Sequence, residues 1–160
     1  MAEQRAGLFL NLSGANLQKA NLQDADLSHA SLSKARLEGA NLCGSSFESA
    51  WMYETHLELA DLSDARLISA YLGGVHLEAA ALGGASLDNA SLDDGHLEGA
   101  FLEGATFSNS QLWGANFRYC SGLAQAQIET AFGDERTILP EGLTQPTHWP
   151  QRPNLGMKPD

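Results

Sequence analysis

The sequence is poor in most residues that mark chemistry or a conventional globular core. It has two cysteines, Cys43 and Cys120, which excludes a disulfide framework and points to a reduced, cytoplasmic protein. Its five prolines all lie at or beyond Pro140, so no proline interrupts the chain before that point. Only nine Lys and Arg stand against 20 Asp and Glu, a formal net charge of −11. That balance excludes the basic surface needed for direct nucleic-acid or anionic-membrane binding, and it makes basic proteins the expected partners. There is no basic-apolar leader and no apolar run long enough to span a bilayer, so neither secretion nor membrane spanning is expected. A nucleophile motif, a phosphate-cradling glycine loop and a Cys/His zinc pattern are also missing. No enzyme chemistry and no cofactor is expected.

What the chain has instead is a repeat. From Leu12 to Phe117 a large apolar residue returns at every fifth position, giving 22 centres of which 18 are Leu and the others are Phe47, Met52, Phe107 and Phe117. Two residues before the centres stands a small residue, Ala in 16 of the 22 cases, with Leu10, Ser45, Thr55, Val75, Gly95 and Ser110 as the departures, so the unit reads Ala-x-Leu-x-x. A period of five matches neither an amphipathic helix, which returns at three and four, nor a strand, which returns at two. It fits a chain that turns a corner in every pentapeptide and sends both the large and the small residue inward. The small residue is needed because a narrow interior has room for one large side chain per side.

The segment ANLQKANLQDADLSHASLSKARLEGANL, residues 15–42, resembles the pentapeptide repeat family. The resemblance implies an all-β solenoid, a right-handed quadrilateral parallel β-helix with four pentapeptides per coil. On that reading residues 10–120 form about 5.5 coils. At ~4.8 Å per stacked strand the rod is roughly 26 Å long. Residues 1–9 are expected to act as an N-terminal cap or arm. Residues 121–133 are expected to form a short capping helix, and 134–160 an irregular, extended, Pro-rich tail.

A 20-residue coil turns the sequence into a surface map. Glu38, Glu58, Glu78 and Glu98 fall in one outward column, and His56, His76 and His96 fall in the column beside it. Like charges ~4.8 Å apart in water repel by roughly 0.9 kcal/mol, so the carboxylates need an offset, which protonated histidine supplies. Three His-x-Glu units pointing the same way are candidate metal ligands; the alternatives are an anionic binding stripe or a solvated face copied by duplication. On another side Trp51, Tyr53 and Tyr71 point outward, with Trp51 directly beneath Tyr71. Outward aromatics of this kind are enriched where protein partners dock.

These features give a non-catalytic rod that binds a macromolecular partner through columns of side chains. The family resemblance implies a sharper alternative: a DNA mimic that binds DNA gyrase or topoisomerase IV, both type II topoisomerases, and protects them from quinolones or other poisons. A metal-binding His/Glu ladder is a further alternative, and pairing of two copies into a homodimer is compatible with the sequence.

Overall fold

In the computed structural model, which describes residues 9–150, one pentapeptide explains the array. The amide of Leu17 donates to the carbonyl of Arg36 at 2.7 Å and that of Lys19 to Glu38 at 3.0 Å, while the amide of Arg36 donates back to Ala15 at 2.9 Å. The amide of Ala20 closes on the carbonyl of Leu17 at 3.0 Å, making a four-residue turn. Its third residue, Lys19, has φ 56°, the positive value that a type II turn demands at that place. The same corner recurs every five residues. Some corners carry the glycine that tolerates it, as at Gly14, Gly39 and Gly104; others carry Asp24, Asn89 or even Leu59.

This corner overturns the expected architecture. Successive coils meet in isolated parallel bridges that join residues 20 apart, from Asn11↔Ser31 to Phe101↔Ser121. Among the described residues there is no β-strand and no sheet, and the single helix has four residues. The chain is therefore not the all-β solenoid, the right-handed quadrilateral parallel β-helix, that the resemblance implied. The physical reason is the turn: a ladder needs consecutive paired residues, and here each pairing site is followed within three residues by a left-handed corner. What remains is a stack of 20-residue coils held together by single bridges and, at the corners, by further amide–carbonyl bonds such as that of Lys19 to Glu38.

The interior is filled as the five-residue period requires. Leu32, Leu42, Leu62, Leu82 and Leu102 are fully buried, and so are Ala35, Ala65 and Ala85 beside them. Fully burying one such leucine contributes about 1.5–3 kcal/mol. Where Ala is replaced by a polar residue, the hydroxyl finds a core carbonyl. Ser45 donates to Leu42 at 2.6 Å, Thr55 to Leu32 at 2.9 Å and Ser110 to Leu87 at 2.7 Å. These buried hydroxyls are thus paired and do not penalise the core.

The C-terminal segment carries a short helix and then irregular chain that packs on the end of the stack. The helix, α1, spans Gln125–Ile128, inside the segment 121–133. Its Gln127 side-chain amide donates to Leu102 at 3.0 Å and Ala105 at 2.7 Å, occupying carbonyls of the last regular coil. The chain then bridges again, Gln111↔Phe132 and Asn116↔Ile138, with offsets that slip from 20 residues to 21 and 22. Trp149 closes the end: it is 2% exposed, and its indole N–H donates to the carbonyl of Ala131 at 2.9 Å. Gly133 lies flush against that ring; a Cβ there would come within 2.5 Å of Cζ3. Of the cap or arm assigned to residues 1–9, residues 1–8 lie outside the described residues, as does the tail beyond residue 150. Among the described residues, no helix is long and apolar enough to cross a membrane.

Candidate functional site: a histidine and glutamate ladder beside an aromatic patch

The bridges set the site. His56, His76 and His96 are bridged directly to one another in series, so their side chains leave the stack at the same point of successive coils. The rings lie nearly parallel, with centroids 4.5 Å apart for His56–His76 and 4.8 Å for His76–His96. Two residues on, past the inward leucines Leu57, Leu77 and Leu97, the glutamates emerge on the same face. Each histidine Nδ1 meets its own glutamate Oε1: 3.0 Å at His56–Glu58, 3.3 Å at His76–Glu78 and 3.8 Å at His96–Glu98. Asn116 donates to Glu98 at 2.6 Å at one end of the ladder, and at the other Gln18 and Arg36 donate to Glu38, each at 3.1 Å. Burial pushes the Glu38 carboxyl up, but its own backbone N–H, Arg36 and Gln18 outweigh that and hold it below the usual range.

The four rungs are not equivalent. Glu38, Glu48 and Glu54 each pair with an Arg or Lys, namely Arg36, Arg66 and Lys34. Glu58, Glu78 and Glu98 have histidine as their only basic partner among the described ion pairs. Their Oε2 atoms, like that of Glu38, are shielded from solvent and have no hydrogen-bond partner among the described residues.

On the adjoining side, Trp51 and Tyr71 are bridged directly and their rings lie 4.9 Å apart. Tyr53 joins them, 6.3 Å from each, and all three are 40–49% exposed. Gly73 makes room for this arrangement, since a Cβ there would stand 3.1 Å from the Tyr53 ring. Phe9, His29, Ser31 and Ser49 extend the patch into an open groove of about 550 Å³ with Trp51 and Tyr71. The sequence reading missed Phe9, His29 and Ser49. They form a corner column at the same 20-residue spacing, so the column arithmetic would have found them.

Among the described residues, neither cysteine thiol lines the groove. Cys43 and Cys120 are both free, and burial pushes the Cys120 thiol up to about 11.

The sequence profile of the pentapeptide repeats matches this chain in eight copies, over residues 11–48, 44–78, 60–99 and 85–121. The chain belongs to the pentapeptide repeat family. This is a family of non-catalytic scaffolds, and the protein is accordingly not an enzyme. No curated protein sequence matches the chain. Among solved structures, the protein is similar to HetL from the cyanobacterium Nostoc, a pentapeptide repeat protein involved in heterocyst differentiation regulation. That match has 23% identity over 85% of this chain and 81% of HetL, with a TM-score of 0.44. It is also similar to full-length QnrB1, a plasmid-mediated fluoroquinolone resistance protein, at 18% identity over 86% and 90% of the two chains and a TM-score of 0.46. A pentapeptide repeat protein from the cyanobacterium Cyanothece matches at 24% identity over 81% and 90%, with a TM-score of 0.45.

Proposed function

We propose that this protein is a non-catalytic interaction rod that docks a protein partner against the patch of Trp51, Tyr53 and Tyr71. The observation that carries this reading is the patch itself: three large aromatic rings in mutual contact, substantially exposed, and held by a directly bridged pair rather than a loop. Rigid aromatics lose little conformational entropy on binding and dominate interface energetics. The surrounding charge, −11 over the chain, selects a partner with a basic rim. A second copy of the chain, in a homodimer, is the other occupant this patch accepts. The two reduced cysteines suit a cytoplasmic setting.

A second reading is favoured by the ladder. Four carboxylates stacked one coil apart on a rigid face offer a basic DNA-binding groove a row of negative charge, and in this reading the rod stands in for DNA on gyrase or topoisomerase IV. Such binding weakens with salt, with a shallower dependence than duplex DNA shows because the charge is sparser.

Gyrase supercoiling with a quinolone present tests both readings. The proteins compared are wild type, a Trp51→Ser/Tyr71→Ser variant and a variant with Glu38, Glu58, Glu78 and Glu98 all changed to Gln. Protection lost only in the four-Gln variant supports mimicry, whereas loss in the aromatic variant supports docking through the patch. If wild type neither protects nor inhibits, the topoisomerase partner falls. The aromatic reading is then tested by capture from lysate, and it fails if the aromatic variant retains the same proteins as wild type.

A further inference from the structure

The geometry points to the His/Glu ladder as a site for two divalent transition cations of the zinc type. One would be held by His56, Glu58 and His76, and the other by Glu78, His96 and Glu98. In each group one donor atom per residue lies within 4.8 Å of the other two. Ligands of a tetrahedral zinc at about 2.0–2.1 Å stand roughly 3.4 Å apart. Within the two groups the His56–Glu58 and His96–Glu98 pairs, at 3.0 and 3.8 Å, bracket that bite. Closing the third ligand onto the ion takes side-chain rotation alone, because these histidines and glutamates are only partly buried while their backbones are locked in bridges.

Two further observations, taken together, mark this cluster. Glu38, Glu48 and Glu54 are neutralised by Arg or Lys, but Glu58, Glu78 and Glu98 have imidazole as their only basic partner among the described ion pairs, with the neutral Asn116 amide also on Glu98. Each also keeps an Oε2 that neither solvent nor any described donor reaches, a feature shared with Glu38, whose other oxygen is met by Arg36. An acceptor-only oxygen shielded in this way is destabilising unless something positive meets it. A mixed set of imidazole and carboxylate suits zinc and its transition-metal neighbours, whereas magnesium and calcium take oxygen alone. Three protein ligands leave each ion at least one position open to water or to a partner's side chain.

The site is independent of the aromatic docking surface. It opposes DNA mimicry, since two divalent cations more than cancel the charge of Glu58, Glu78 and Glu98.

Zinc titration of the full chain by calorimetry, followed in parallel by imidazole NMR signals, tests the assignment. Wild type should take up two zinc ions per chain, with loss or shift of the His56, His76 and His96 signals and no displacement by excess magnesium. His96→Asn should reduce the stoichiometry to one while His56 and His76 still respond, and Glu58→Gln should weaken the other ion at least tenfold. All these side chains point outward, so unchanged thermal melting of the metal-free variants shows that the fold is retained. Absence of binding at millimolar zinc, or uptake that neither variant alters, overturns the assignment.

Discussion

The array between Asn11 and Ser121 and the segment that follows it solve the same problem by different means. In the array each residue's task is set by its place in the pentapeptide: Leu62 fills the core because every fifth residue does, and Asp64 turns the corner because a corner falls there. After Ser121 the chain still bridges to the coil below, but the offsets drift to 21 and 22 and each contact occurs once. Gln127 reaches two carbonyls, Gly133 lies under Trp149, and Asp134 binds the Gly114 amide at 3.0 Å. The lesson is that a repeat spreads its stability over many equivalent units, whereas its end depends on a few irreplaceable ones.

Substitutions in the two regions should therefore fail differently. The largest effect is expected for Leu62→Asp, which places an unpaired charge in a fully buried site in mid-array. A cost of several kcal/mol should abolish cooperative unfolding, as read by circular dichroism on heating. Trp149→Ala should cost about 3–5 kcal/mol, but locally. Hydrogen exchange should speed up at Phe132 and Ile138 and leave amides such as Leu62 and Leu77 protected. If the whole array opens together, the two regions are one cooperative unit.

Asp134→Asn is expected to cost about 1–2 kcal/mol at neutral pH. Burial raises the Asp134 carboxyl, but the Gly114 amide and the Arg136 guanidinium and amide outweigh it, so its folded-state value lies below the ordinary one. A lowered carboxylate contributes stability above its unfolded value, and that contribution is lost as pH falls below about 4. Wild type should lose stability across that window, and the variant should show a flatter acid limb in melts taken between neutral pH and pH about 3. The smallest effect concerns a corner. Leu59 has φ 60° and is 71% exposed, so Leu59→Asn, which tolerates this region, should stabilise by about 0.5 kcal/mol in denaturant titration.

The columns were legible in the sequence because identical residues recur at a fixed spacing. Reading every twentieth position is enough to place His56, His76 and His96 in one line and Trp51 beneath Tyr71. The hydrogen-bonded unit was not legible. A period of five announces a corner, but it does not say that the corner residue takes φ near 60° and limits pairing to single bridges, and the resemblance supplied sheets that are not there. The end of the stack was illegible for the opposite reason. The fit of Gly133 under Trp149 and the reach of Gln127 to Leu102 and Ala105 are pairwise contacts with no periodic signal. The free Oε2 atoms of Glu58, Glu78 and Glu98 also needed coordinates, because sequence shows which carboxylates are neighbours but not which oxygens lack a donor.

Both the metal assignment and the DNA-mimic reading stand on one claim, that successive coils stack in register and bring the three histidines into a single ladder. Proton–proton NOEs between assigned imidazole rings test it most directly. With centroids 4.5 and 4.8 Å apart, His56–His76 and His76–His96 should each give a cross-peak, and His56–His96, separated by the ring between them, should give none. If both neighbouring cross-peaks are absent from a folded, fully assigned sample, the ladder does not exist as described.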